Sequence, residues 1–293
     1  MTQQVAVVTD SSACLPADLA ASWRVEVIPL HVIVNDVPRA EGSPGLDADV
    51  VRALRAGAKV TTSQPSVEEC RIAFESAAQR ADAVVAIGLS QKISGTVSAM
   101  RAAADQASVP VTIVDSETVA WGAGFAALSA AAAARDGGDV DRVVAEAARV
   151  ARSSLVLFTV ESLAHLKAGG RISPAVAAIG TALGIRPVLG MVDGEIAAIE
   201  RVRTPAKARA EIFARVAERA HALPSAAVGI VTLAGDEELS DQARFEVFKR
   251  GEWPTVASGL SAVLGAHTGP GTLGAIVADV HPDVRAALAT SLP

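Results

Sequence analysis

The chain has 293 residues, of which 51% are hydrophobic, 20% are charged and 3% are aromatic, with no tyrosine. This composition predicts a folded protein with a large aliphatic interior and argues against disorder. The net charge of −6 argues against nucleic acid as the main partner. The first residues lack a signal-peptide pattern, and the longest alanine-rich run is too short for a bilayer. We therefore expect a cytoplasmic protein without stable membrane insertion.

The first half of the chain alternates short apolar runs with helical patterns. Nearly continuous apolar runs predict strands that are buried on both faces, over residues 5–8, 25–29, 84–87 and 111–114. Helices are predicted over residues 16–22, 47–56, 66–79, 95–107, 122–136 and 139–153. This alternation is typical of a parallel sheet covered by helices.

The second half of the chain predicts a mixed sheet. Asp193-Gly194 lies between two strand-like runs, 188–191 and 195–203, and predicts a tight β-hairpin turn. Further patterns predict helices over 205–222 and 237–250, and strands over 226–233 and near 275–280. We expect an α/β fold of two domains, residues 1–155 with the parallel sheet and residues 156–293 with the mixed sheet.

Polar loops follow three of the predicted parallel strands, at the edge of the sheet where ligands usually bind. They cover residues 9–12, 88–96 and 114–118, and each one alone is also typical of an ordinary turn or helix cap. Ser94-Gly95-Thr96 opens a helix, where free N–H groups and the helix dipole attract an anion. Residues 61–66 form a second hydroxyl-rich cluster that also precedes a helix. Two such ends without a run of lysines favour a single carboxylate over a polyphosphate.

Other polar residues leave alternatives open. His267, in H-T-G-P-G, either lies over the site or is satisfied within a tight turn. Arg201 and Arg203 alternate with period two and either clamp an acidic group or lie on a solvated strand face. The two cysteines and the remaining histidines show no spacing for a disulfide framework, a redox motif or zinc.

Several segments in order resemble the DegV family, which includes the fatty-acid-binding subunits called FakB. The matching segments are V-T-D-S-S (8–12), I-P-L (28–30), T-S-Q-P-S (62–66), I-S-G-T (93–96), V-D-S (114–116), L-K-A-G-G-R-I-S (166–173) and H-T-G-P-G (267–271). The resemblance spans nearly the whole chain, and the combination is far more specific than any single motif. It implies two α/β domains with a long-chain fatty acid buried between them and no cofactor.

The resemblance also implies roles for individual residues. Thr62 and Ser94 would bond to the fatty-acid carboxylate, with Ser63 and His267 nearby. Arg171, Arg203 and His267 would support docking with a FakA-like, ATP-dependent kinase subunit, which phosphorylates the bound carboxylate to an acyl phosphate. The chain would then be a substrate carrier and not an enzyme.

The sequence departs from the family pattern in a few places. Ser90-Gln91-Lys92 stands where many relatives have smaller residues, so an additional cation is expected near the site. Arg201 competes with Arg203 for the family role, and Cys14 has no assigned role.

Three alternatives come from the residues themselves. Ser94 or Ser90 with His267 and Asp10 or Asp115 could form a hydrolase or transferase triad. In G-L-S-Q-K (88–92), however, lysine replaces the last glycine of a nucleophile elbow. G-A-G-F-A-A (122–127) resembles a dinucleotide fingerprint but follows its strand after a long loop, so close helix packing is the better interpretation. A purely structural role would leave the interior filled with side chains.

Overall fold

A computed structural model describes residues 3–179, 185–234 and 236–290 of the chain. Its strands are β1 (Val5–Asp10), β2 (Val25–Ile28), β3 (His31–Val34), β4 (Val37–Ala40), β5 (Val60–Ser63), β6 (Ala83–Gly88), β7 (Val111–Asp115), β8 (Leu155–Thr159), β9 (Arg186–Val192), β10 (Glu195–Val202), β11 (Ala226–Thr232), β12 (Thr255–Gly259) and β13 (Leu273–Asp279). Its helices are α1 (Ala17–Ser22), α2 (Leu46–Arg55), α3 (Val67–Ala78), α4 (Thr96–Ala104), α5 (Trp121–Arg135), α6 (Val140–Ser153), α7 (Ala164–Ala168), α8 (Pro174–Ile179), α9 (Pro205–His221), α10 (Glu237–Phe248), α11 (Ala262–Thr268) and α12 (Pro282–Thr290).

The first sheet is parallel, as the strand–helix alternation predicts. Its strand order is β2-β1-β6-β7, and every pairing in it is parallel. Its central strand β6 is buried along its whole length, which explains its continuous apolar run. Helices α3 and α4 cover one face and bury Phe74 and Met100 against it. The carboxyl ends of these strands therefore deliver their polar loops to one edge.

The second sheet is mixed, with the order β10-β9-β8-β13-β11-β12. The predicted hairpin is confirmed: Asp193 and Gly194 have φ angles of 48° and 78° between the antiparallel strands β9 and β10. Two positive φ angles are what a type I′ turn requires. The register shifts between Ala198 and Glu200, so β10 carries a bulge.

A third, small antiparallel sheet was not predicted from the sequence. Its strand order is β4-β3-β5. Strand β5 contains Thr61, Thr62 and Ser63, so the prediction that residues 61–66 open a helix is wrong for these three residues. Only Ser66 caps the following helix, where its hydroxyl accepts from Glu69 N and the Glu69 carboxylate accepts from Ser66 N. Three of the four residues of β5 are Thr or Ser, so this strand lacks the apolar run that identified the equally short β2.

Helix α5 lies between the two larger sheets and contacts β1 in one and β13 in the other. Every residue from 121 to 133 is buried. Close packing at its glycines is confirmed, because a β-carbon at Gly124 would lie 2.8 Å from the carbonyl oxygen of Ala13. The apolar interior around α5 is continuous from Val7 to Leu288. A boundary between residues 155 and 156 stays a prediction, although β8, the first strand of the second sheet, begins at Leu155.

In the part of the chain that the structure describes, no helix combines the length and hydropathy needed to cross a membrane.

Candidate functional site

A cavity of about 280 Å³ lies between one face of the second sheet, helix α11 and loops that leave the first sheet. Its walls are mainly aliphatic and combine residues from both halves of the chain: Leu30, Leu89, Ile93, Val119, Val156, Leu166, Met191, Ile196, Val231, Leu260, Val263, Leu264 and Ile276. The purely structural alternative predicted an interior filled with side chains. The cavity instead offers room for an apolar ligand.

The hydroxyl of Thr62 and the imidazole of His267 meet at this cavity. Thr62 Oγ1 lies 2.8 Å from His267 Nε2, although 205 positions separate the two residues. Strand β5 presents Thr62, and the last turn of helix α11 presents His267. His267 thus lies on a helix, not in the glycine–proline loop that follows it. The pair joins the small third sheet to helix α11.

His267 is neutral at physiological pH. Burial lowers the pKa of its imidazole to about 4, and the nearby guanidinium of Arg171 acts in the same direction. A neutral imidazole carries one N–H, so the bond between His267 and Thr62 has two possible directions. If Nε2 donates to Thr62 Oγ1, the Thr62 hydroxyl proton is free to bind a ligand oxygen. The pair can therefore supply a donor without introducing a second charge.

Ser94 lies at the amino end of helix α4, as predicted. Its hydroxyl accepts a hydrogen bond from Thr96 N at 3.3 Å and pairs with Thr96 Oγ1 at 2.9 Å. Helix α4 begins at Thr96, so the positive end of its dipole faces this part of the cavity. Of the two helix amino ends that were predicted to attract an anion, this one reaches the cavity. The other is closed by its own capping box at Ser66.

Two further residues lie beside Ser94 and Thr62 on the cavity wall. Ser63 is exposed at the end of β5 and lines the cavity, and its role at the head group stays a prediction. Gln64 follows it, and its side-chain oxygen would lie 1.7 Å from a β-carbon built on Gly95. Gly95 thus gives the Gln64 amide room to lie against the start of helix α4. Sequence reasoning missed Gln64 as a lining residue, although it stands within the T-S-Q-P-S motif.

Arg171 is the one permanently charged side chain among the described residues that line the cavity. Its Nε donates to the carbonyl of Ile93 at 3.2 Å, and its Nη1 donates to the carbonyl of Gly169. These bonds hold the guanidinium between the loop before helix α4 and the loop after helix α7. A single positive charge is therefore held close to the hydroxyls and the imidazole.

Other predicted residues lie outside the cavity. Arg201 and Arg203 are both exposed and do not line it. Their positions therefore do not decide which of them would support docking with the kinase. Lys92 is also exposed and lies by the β9–β10 turn, where its Cδ would be 3.5 Å from a β-carbon on Gly194. The cation expected from this departure is not among the lining residues. Neighbouring Ser90 is buried and donates to the carbonyl of Gly194 at 2.7 Å.

The described contacts do not assemble a catalytic triad. Ser94 bonds to Thr96, while His267 bonds to Thr62, and no carboxylate of the described residues lies within ion-pair distance of the imidazole. Asp10 is buried, and its carboxylate accepts from Ser12 and from Leu89 N. Burial raises the pKa of that carboxyl group, and the hydrogen bonds oppose the rise. Asp10 thus ties β1 to the loop after β6.

A metal centre is also not apparent. Within residues 3–179, 185–234 and 236–290, no three His, Cys, Asp or Glu residues are grouped closely enough to hold an ion.

Comparisons with known proteins match this fold and sequence along nearly the whole chain. A protein-family model for the DegV family, described as an uncharacterised protein family, matches residues 4–279. A DegV domain-containing protein of Streptomyces coelicolor is 38% identical over 281 residues, which cover 94% of this chain and 99% of that protein. The protein DegV of Bacillus subtilis is 33% identical over 277 residues, covering 92% and 97%.

Solved structures match equally well. A fatty-acid-binding DegV family protein from Thermus thermophilus has a TM-score of 0.87 at 33% identity, covering 94% of this chain and all (100%) of that one. The structure of DegV from Bacillus subtilis, a fatty acid binding protein, has a TM-score of 0.83 at 30% identity and covers 94% and 99%. From the family match and these identities, the chain belongs to the DegV family.

Proposed function

We propose that this protein binds a long-chain fatty acid, with the hydrocarbon tail in the aliphatic cavity and the carboxylate at its polar end. The observation that carries the proposal is the combination of an apolar cavity of about 280 Å³ with a polar end built from Thr62, Ser94, His267 and Arg171. The fatty-acid-binding relatives from Thermus thermophilus and Bacillus subtilis support it.

The charge at the polar end favours a carboxylate over a phosphate. One guanidinium, one neutral imidazole, two hydroxyls and one helix amino end match a single negative charge with two acceptor oxygens. A polyphosphate would need more cations than the one that the described cavity wall supplies. Hydrogen bonds and the single charge of Arg171 would therefore hold the head group and fix its orientation.

Most of the binding free energy would come from the tail. Each buried methylene contributes about 0.8 kcal/mol, so a long acyl chain contributes on the order of 10 kcal/mol before ordering costs. The near-absence of charge along the cavity wall fits this division between tail and head group. Since the apolar walls combine the second sheet with loops that leave the first sheet, binding would also hold the two halves of the chain together.

We further propose a FakB-like role, in which the bound carboxylate is presented to an ATP-dependent fatty acid kinase and becomes an acyl phosphate. Ser63 and Gln64 are exposed while lining the cavity, so the polar end is open to a second protein. In this role Arg171 and His267 act at the carboxylate, and exposed Arg203 contacts the kinase. The chain would contribute no catalytic residue of its own.

The direct test is organic extraction of the purified protein, followed by mass spectrometry. We expect about one long-chain fatty acid per chain, and its complete loss after delipidation should be reversed by added palmitate. A delipidated protein that binds neither palmitate nor oleate in calorimetry would overturn the proposal. For the kinase role, ATP-dependent formation of acyl phosphate should require both the kinase and this protein loaded with fatty acid.

A further inference from the structure

The cavity shares a lining residue with a neighbouring surface groove of about 980 Å³. Among the described lining residues, Leu260 is the one that faces both spaces. Its sequence neighbours divide between them, since Ala262 lines the groove and Val263 lines the cavity. The same division occurs across the wall, where Pro29 faces the groove and Leu30 faces the cavity. The side chain of Leu260 therefore lies between the cavity and the groove.

Leu260 lines the cavity at the opposite end of helix α11 from His267, which lies at the polar end. Helix α11 runs along the cavity wall, with His267 in its last turn and Leu260 just before its first residue, Ala262. Seven helical residues span about 10 Å at 1.5 Å per residue. A tail that starts beside His267 and follows this helix therefore runs toward Leu260.

The groove beyond Leu260 can receive hydrocarbon. It lies between β2 and β12, which are edge strands of the first and second sheets. The groove is lined by charged residues and also by a set of apolar ones: Leu15, Pro16, Ala17, Ala20, Ala21, Val25, Val27, Pro29 and Ala262. Beside Leu260, a β-carbon on Gly259 would meet no atom within 4 Å, so the groove is open there.

The backbone on both sides of Leu260 is held by hydrogen bonds. Leu260 N donates to the carbonyl of Thr232 at 2.7 Å. Across the wall, Leu30 N donates to Ser11 Oγ at 2.9 Å, Ser11 donates to the Glu41 carboxylate, and the same carboxylate accepts from Val263 N at 2.8 Å. Through Ser11 and Glu41, these bonds connect the segment at Leu30 to the start of helix α11 at Val263. The side chain of Leu260 is then the part of the wall that can move while its backbone stays fixed.

We propose that the Leu260 side chain is the partition that limits the length of the bound acyl chain, and that the groove is a second subsite for the methyl end of longer chains. This inference rests on the proposed function, because it assigns a position to the tail of a bound fatty acid. Rotation of Leu260 would let a long tail pass into the groove. A shorter side chain at this position would leave the two spaces joined.

The test compares palmitate, arachidate and behenate binding to the delipidated wild type, Leu260→Ala and two control variants. Each additional methylene that reaches the groove is expected to raise affinity by about fourfold. Leu260→Ala should therefore prefer behenate to palmitate more strongly than the wild type does. Val263→Ala enlarges the cavity without touching the groove, so it should not shift this preference. Leu260→Ala combined with Gly259→Phe fills the groove and should cancel the shift.

The outcomes separate this inference from the proposed function. Wild-type binding of palmitate together with an unchanged preference in Leu260→Ala would overturn the partition and leave fatty-acid binding standing. A shift of equal size in Val263→Ala would also overturn it, because cavity volume alone would then explain the effect. A wild type that binds none of the three acids would overturn both proposals. If Leu260→Ala does not fold, Leu260→Val should give a smaller shift of the same sign.

Discussion

The neutral state of His267 makes the stability of the lipid-free protein depend on pH. Its pKa in the folded protein is about 4, compared with an ordinary value of 6.5. As the pH falls below 6.5, the unfolded chain takes up a proton here that the folded protein does not accept. The stability associated with a neutral His267 is therefore complete above pH 6.5 and is lost as the pH falls to about 4.

The size of this effect follows from the two pKa values. They differ by about 2.5, and one pKa unit corresponds to about 1.36 kcal/mol, so the full loss is about 3 kcal/mol. His267→Gln removes the titration but keeps a side-chain amide that can bond to Thr62. Buried acids such as Glu41, whose pKa is raised by burial, are present in both proteins and cancel in the comparison.

The assay is urea unfolding of delipidated wild type and His267→Gln at pH 7 and at about pH 4.5. Between these conditions the free energy of unfolding of the wild type should fall by about 2 kcal/mol more than that of the variant. Titration of the His267 ring by NMR provides a direct check of the pKa. Parallel pH profiles for the two proteins would refute the reasoning, because His267 would then ionise equally well folded and unfolded.

Three further substitutions test other parts of the protein. Ser94→Ala should weaken fatty-acid binding by about tenfold or more, since it removes a hydrogen bond to a charged group, whereas Ser98→Ala, exposed on the same helix, should not. Arg203→Ala should slow acyl phosphate formation while palmitate affinity stays unchanged, and an equal effect of Arg201→Ala would show that the role is not specific to Arg203. Gly194→Ala should lower the free energy of unfolding, measured in denaturant, by about 1 kcal/mol or more. Gly194 has a φ of 78°, and a β-carbon there would lie 2.7 Å from Ser90 Oγ. Unchanged stability would contradict that strain.

Local patterns were sufficient for the elements that carry strong periodicity. The parallel strands were found because β6, for example, is buried on both faces and is therefore apolar throughout. The hairpin was found because Asp193-Gly194 supplies two positive φ angles that few other pairs tolerate. The start of helix α4 after Ser94-Gly95 was predicted from the same kind of signal, although the helix ends at Ala104 and not at residue 107.

Short elements and long-range contacts were decided by the tertiary structure. Strand β5 is short and rich in hydroxyl residues, so its pattern could not be distinguished from a turn, and Thr62 was placed at a helix end instead of on a strand. The pairing of Thr62 with His267 joins residues 205 positions apart, a distance over which no local pattern carries information. The family resemblance implied only that both residues lie near the carboxylate, and it did not predict the bond between them.

The sequence by itself therefore determined the α/β class, the parallel sheet, the hairpin and the set of polar loops, because each depends on residues close together in the chain. The tertiary structure decided which of those loops face one space. It brought Arg171 and His267 to that space and left Arg203 on the surface, and it placed Leu260 between the cavity and the groove. The physical reason is that the cavity is bounded by the second sheet and by loops that leave the first sheet, so its shape exists only once the two sheets have packed around helix α5.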